Sequence, residues 1–139
     1  MEQLAEFASN HVLLTMALIG ALALVAATEL RLKTQGLTHV SPGDAVRLIN
    51  KSAHVIDIRP AEAFGDGHIA NSRNIELASL EADPDSVKKK KDKVLLTVCD
   101  SGQTSGKAAA VLRKAGYENS FSLRGGIQAW RAENLPLAK

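Results

Sequence analysis

Residues 93–112 read "KVLLTVCDSGQTSGKAAAVL". After Lys93 comes a short apolar run to Val98, the pattern expected of a strand buried on both faces. Cys99, the one cysteine in the chain, follows at once. Behind it lie small and flexible residues, and then a stretch that predicts a helix from near Ser105 to about Ala115, ended by Gly116. A strand that runs through a glycine-bearing loop into a helix is the unit of a parallel sheet. In such sheets ligands sit beyond the carboxyl ends of the strands. Position alone therefore nominates Cys99.

The neighbouring sequence repeats the pattern. "LTHV" (37–40) is a candidate first strand, and "SPGDAVRLINK" follows with Ser41 as N-cap and Pro42 at the first helical position. "HVIDI" (54–58) is rich in β-branched residues and predicts a strand. A short helix starts at Pro60 and is stopped by the glycines of "GDGH"; a short strand is expected near Asn74 to Leu77. Residues 78–93, ending in "KKKKDK", predict a short helix and a solvated loop. "SFSL" (120–123) makes a last strand and "GGIQAWRAE" a last helix. Strands separated by helices imply an α/β fold, a small parallel β-sheet with helices on both faces.

The N-terminus is different. No Asp, Glu, Lys or Arg occurs from Phe7 to Thr28, and as a helix this run spans roughly 33 Å, the thickness of a bilayer's hydrocarbon core. Val12 to Ala27 is apolar all round, unlike a surface helix. Glu2 and Glu6 precede it where a signal peptide wants basic residues. The expectation is a transmembrane anchor and linker over 1–36, with its span at about 9–28, ahead of a domain over 37–139. Arg31 and Lys33 follow the span and no Lys or Arg precedes it, so the single-pass topology puts the C-terminal domain in the cytoplasm, at the inner or plasma membrane. That compartment is reducing and suits a free thiol.

Composition narrows the chemistry. The net charge is +2, too small for a nucleic-acid coat, and no nucleic-acid partner is expected. One cysteine and four scattered histidines support neither a disulfide framework nor a zinc site, so no metal and no cofactor are expected. The loop nearly spells a nucleotide-binding motif, but Gly102 lies one residue too close to Gly106-Lys107, and Ala108 stands where a magnesium-binding hydroxyl belongs. A helix starting behind Cys99 instead aims its unpaired N–H groups at the loop, and glycine lets the backbone curl into an anion cradle. Such a site favours the thiolate, the nucleophilic form. A lone cysteine is also a common core residue, and the thiol by itself leaves both readings open.

Three motifs in order carry a family resemblance. "DIRPAEAFGDGHIANSRNI" (57–75) and "GGIQAW" (125–130) resemble the two rhodanese signatures, with the cysteine-led loop between them. The resemblance implies a rhodanese-like domain and a sulfurtransferase, in which Cys99 carries sulfane sulfur as a persulfide. Its substrate would be a small sulfur-donor anion such as thiosulfate, or a protein persulfide, and its acceptor a thiol or cyanide. Asp100, Ser101, Gly102, Gln103 and Thr104 would form the substrate-binding cradle. The six residues from Cys99 to Thr104 match the loop of sulfurtransferases. Phosphatases and arsenate reductases of this fold use a loop one residue longer, closed by an arginine.

Many active members carry a basic residue in this loop, where this chain has Asp100, Gln103 and Thr104. A carboxylate beside a thiolate raises the thiol's pKa and repels dianionic thiosulfate, at a cost on the order of 1 kcal/mol. Lys107 would compensate if its side chain reached back. A second expectation follows, a non-catalytic rhodanese-fold interaction module placed beside another membrane protein. Asp57 and Arg59 are expected to fasten loops by ion pairing, with Glu62 as the partner of Arg59. His68 and Trp130 are expected to be structural, and the lysine run to touch anionic membrane lipid or simply to face solvent.

Overall fold

The structure is a computed structural model that describes residues 2–139, with side chains described at 3, 6–30 and 38–139. The chain forms two compact units, Met1–Gln35 and Gly36–Lys139.

The first unit is helical. Helix α1 (Glu2–Asn10) leads into α2 (Val12–Thr38), and His11 between them keeps the helical bonding, donating to Phe7 O and accepting from Thr15 N. Within α2 the stretch Val12–Leu30 is 19 residues long, apolar, and without a buried side chain. At 1.5 Å per residue it spans about 28 Å, enough to cross a hydrocarbon core.

The second unit is a five-stranded sheet in the order β1-β5-β4-β2-β3, with every neighbouring pair parallel. The strands are β1 (His39–Val40), β2 (His54–Asp57), β3 (Arg73–Asn74), β4 (Leu95–Val98) and β5 (Ser120–Leu123). The longer helices between them are α3 (Pro42–Asn50), α4 (Ala61–Gly65), α5 (Leu77–Ala82) and α6 (Gln103–Lys114), and α7 (Gly126–Ala132) follows β5. A single 3-10 turn, Pro84–Val87, follows α5.

The sheet divides the core into two layers, because successive strand residues point to opposite faces. On one face Ile56 and Leu95 pack with Leu80, Val87, Ala108, Leu112 and Tyr117 from α5, the 3-10 turn, α6 and the turn after it. On the other, Val55, Leu96, Val98 and Leu123 pack with Ala45, Ile127 and Trp130 from α3 and α7. Burying each of these leucines stabilises the fold by about 2 kcal/mol. All four residues of β4 are buried, as its apolar run predicts.

Local signals hold at α3, where Ser41 Oγ accepts from Asp44 N at 3.2 Å and Pro42 opens the helix. Elsewhere tertiary context moves the boundaries. Leu37 and Thr38 belong to α2, and β1 keeps only His39 and Val40, which as an edge strand pair with Ser122 and Leu123 alone. The third strand lies at 73–74, because Leu77 starts α5. Helix α6 begins at Gln103, two residues before the expected start, since Gly102 turns the chain with φ +89°.

Candidate active site

Strand β4 delivers Cys99 to the carboxyl end of the sheet, where the residue is 4 % exposed. The loop then folds back over the sulfur. Gly102 N donates to Cys99 Sγ at 3.0 Å and Ser105 N at 3.3 Å. Ser105 Oγ lies 3.4 Å from the same sulfur. Burial pushes the thiol's pKa up, but hydrogen bonds from the Ser105 side chain and from the Ser105, Gly102 and Ser101 backbone outweigh it. The net result is a pKa below the ordinary 9.0. Amides at the start of a helix have no partner within it, so aiming them at an anion satisfies both.

Ser105 was not among the residues expected in the cradle, yet its side chain makes the longest-reaching connection there. Its Oγ is 2.7 Å from Ser122 Oγ on β5 and 3.2 Å from Gly102 O, the bond it can donate when Cys99 is a thiol. Thr97 on β4 donates to Ser105 O at 2.8 Å and holds the first turn of α6 in place. The sequence signal was the hydroxyl of Ser105 directly after the six-residue loop; that of Ser122 is a serine alternating with Phe121 and Leu123 in a short strand.

Helix α7 supports the loop from behind. Ile127 N donates to Cys99 O at 2.9 Å and Gln128 N to Asp100 O at 3.1 Å. Such approach requires glycine, because a Cβ on Gly126 would lie 2.3 Å from Cys99 O. The glycine pair of the "GGIQAW" motif thus fits the backbone of α7 under the cysteine loop.

Of the expected cradle residues, Gly102 is buried and bonded to the sulfur, while Ser101 contributes through its backbone. Gln103 and Thr104 occupy the first turn of α6 with exposed side chains. Asp100 is 64 % exposed, with its Oδ1 3.7 Å from Arg59 Nη1. Arg59 is itself buried and held by Asp57 (Nη2 to Oδ2, 2.7 Å) and by Gly67 O at 2.8 Å. The carboxylate at 100 therefore faces a fixed cation, and the thiol's pKa is set by burial and hydrogen bonds.

Two expectations are corrected here. Lys107 does not reach back to the loop, because its Nζ pairs with Glu81 Oε1 on α5 at 2.8 Å. The acidic partners of Arg59 are Asp57 and Asp100, not Glu62. His68 stacks on Phe64 at 3.9 Å between ring centroids, with Nδ1 3.0 Å from Phe64 O. Trp130 is buried and donates to Pro136 O. Both are structural. Among the described residues no group of His, Cys, Asp and Glu could hold a metal ion.

Comparison with known proteins gives the family. A family model described as "Rhodanese-like domain" matches residues 41–133. The chain belongs to the rhodanese-like family. Along its full length this rhodanese-like protein is 36 % identical to the "Uncharacterized protein YibN" of Escherichia coli K12, covering 99 % of it. It is 36 % identical to the thiosulfate sulfurtransferase GlpE of Stutzerimonas stutzeri over 66 % of this chain and 83 % of that one. A solved structure of a rhodanese-related protein from Thermoplasma volcanium is 30 % identical, with a TM-score of 0.65 over 73 % of this chain and 97 % of that one. The human single-domain sulfurtransferase TSTD1, 23 % identical with a TM-score of 0.62 over 69 % of this chain and 96 % of that one, shares the fold.

Proposed function

We propose that the protein is a sulfurtransferase tethered to a membrane, with Cys99 as the persulfide carrier. The observation that carries this reading is the Cys99 sulfur held by the Gly102 and Ser105 amides, with its pKa lowered. The Cys99 thiolate attacks the outer sulfur of thiosulfate or of a persulfide. A sulfur–sulfur bond forms at Cys99 as the donor's breaks, and sulfite or the donor thiolate departs with the electron pair. An acceptor thiolate or cyanide then attacks the outer sulfur and returns Cys99 as thiolate. The cradle of Asp100, Ser101, Gly102, Gln103 and Thr104 surrounds that outer sulfur, with the first-turn amides of α6 supplying hydrogen bonds to negative charge.

The test is direct. Incubation of the full chain with thiosulfate should add about 32 Da, one sulfur atom, to Cys99, and cyanide should remove it as thiocyanate. No gain with thiosulfate or with persulfide donors would sink the enzyme reading and favour the other one, a rhodanese-fold interaction module. The exposed Asp100 carboxylate beside the nucleophile is what favours that module.

The tether is helix α2, whose Val12–Leu30 stretch is apolar and long enough to span. Arg31 and Lys33 directly after it support a cytoplasmic C-terminal domain over 37–139, with residues 1–36 as anchor and linker. Carbonate-washed membranes should retain the protein, and release into the soluble fraction would refute the anchor.

A further inference from the structure

The sulfur chemistry makes no use of the run Lys88, Lys89, Lys90, Lys91, Asp92 and Lys93. These residues lead into β4 and are all exposed. Because every strand pair is parallel, all five strands begin at one end of the sheet, and Cys99 lies at the other. The lysine run thus sits at the strand-start end.

Lys91 has structural work. It pairs with Asp85 at 3.2 Å, caps Ala115 O at the end of α6, and lies 4.7 Å over the Tyr117 ring. The ammonium groups of Lys88, Lys89, Lys90 and Lys93 have no ion-pair partner among the described residues. Two more exposed cations reach this end, Lys51 at the C-cap of α3 and Lys114 in the last turn of α6. Against these stand the exposed carboxylates Asp83, Asp85, Asp92 and Glu118, of which Asp85 is taken up by Lys91. His54, which opens β2, has its pKa lowered by burial and then by the charges of Lys89 and Lys93. Leu95 pairs with His54 in register, so the lysine run adjoins the start of β2 as well as that of β4. The loops at the Cys99 end carry the exposed carboxylates Glu62, Asp66, Glu76 and Asp100 beside the exposed Arg124.

The chain enters the domain at the basic end, because β1 also begins there. Only residues 31–38 separate Leu30, the last residue of the apolar stretch, from His39. Even fully extended they reach at most about 28 Å. We infer that the strand-start end, with Lys51, Lys88, Lys89, Lys90, Lys93 and Lys114, docks on the headgroups of anionic phospholipid. Unpaired lysines on flexible stems, spread over four loop and helix-end positions, suit a diffuse anionic surface better than one shaped ligand. Docking leaves the Cys99 end facing away from the lipid, open to donors and acceptors in solution. This rests on the membrane-anchor reading.

The full chain reconstituted into nanodiscs tests it, with discs of phosphatidylcholine alone compared with an equal mixture of phosphatidylcholine and phosphatidylglycerol. Lysine acylation is read by mass spectrometry, and Lys107 at the far end of the domain serves as the internal reference. Labelling of Lys89, Lys90 and Lys93 should fall about threefold or more in the anionic discs and recover at high salt. The charge-reversed variant K89E/K90E/K93E should lower the labelling difference at Lys51, Lys88 and Lys114 as well. Equal labelling in both lipids overturns the docking surface while leaving the anchor intact. A chain that enters neither kind of disc overturns the anchor, and the docking surface with it.

Discussion

The Arg59 guanidinium, buried at the end of β2, sets its Nη1 3.7 Å from Oδ1 of the exposed Asp100 in the cysteine loop. The residue that looked most damaging to a thiolate site is therefore paired across the sheet ends. The pair is half open to water, so its attraction is screened and worth little in stability. For the proposed sulfur transfer its consequence is for the substrate, because an exposed carboxylate in the cysteine loop would repel an incoming anion.

Replacing Asp100 with Asn should therefore raise kcat/KM for dianionic thiosulfate by about fivefold, the effect of removing roughly 1 kcal/mol of repulsion. An aryl thiosulfonate, which carries one negative charge, should gain less. Steady-state kinetics with the two donors checks this, and equal gains would mean that the carboxylate acts on the loop and not on the substrate's charge.

Ser105→Ala removes the hydroxyl beside Cys99 Sγ and leaves Ser122 Oγ, 2.7 Å away in the native chain, without its partner. The thiol's pKa should rise, and the pH profile of iodoacetamide alkylation should move to higher pH. The orphaned serine should cost about 1–3 kcal/mol in denaturant unfolding. A variant that is destabilised but alkylates with an unshifted profile would make Ser105 purely structural.

The lowered Cys99 pKa also makes stability depend on pH. Its folded value lies below the ordinary 9.0, so the fold binds fewer protons there than the unfolded chain does. The contribution is full above the unfolded value and is lost as pH falls through the folded one. The stability of the native protein relative to Cys99→Ala should therefore grow as pH rises toward 9.0 and then level off. Paired denaturation curves across that range test it, and a constant difference would contradict the thiolate.

Tyr117, the single tyrosine, offers a clean spectroscopic check. Burial, then its 2.8 Å hydrogen bond to Asp85, push its pKa up to about 12. Phenolate absorbance should appear near that pH in the fold and near the ordinary 10.0 after unfolding. Since the raised value favours the fold below the unfolded pKa, this stability is lost as pH climbs through the folded one. Asp85→Asn should bring the titration down, and an unchanged midpoint would show that burial alone sets it.

Gly126→Ala should displace the cysteine loop, because the new methyl would lie 2.3 Å from Cys99 O at a backbone φ of +59°. A loss of at least about 2 kcal/mol is expected from strain and the lost approach. Persulfide formation should fall with it, and a full-rate, fully stable variant would mean that α7 does not hold the loop.

Much of this was legible along the chain. The parallel α/β architecture followed from strand and helix patterns a few residues long, as in "VLLTV" and the Ser41–Pro42 helix start. The placing of Cys99 after a buried strand followed from the same patterns, and so did an apolar helix long enough to cross a bilayer. The misplaced boundaries all sit where a short edge strand or a glycine turn makes the local preference weak. Leu37 and Thr38 continue a helix instead of opening a strand, and Gly102 starts α6 early.

The site's fine geometry was decided by tertiary structure alone. Ser105 meets Ser122, Arg59 meets Asp100, and Gly126 lies against the Cys99 carbonyl, each pair drawn from different elements or the loops between them. The same packing sends Lys107 to Glu81 and away from the cysteine loop. Local sequence sets the period of an element and the residue types at its ends. Which ends become neighbours is set by strand order in the sheet, and that order emerges only when both apolar faces are buried together.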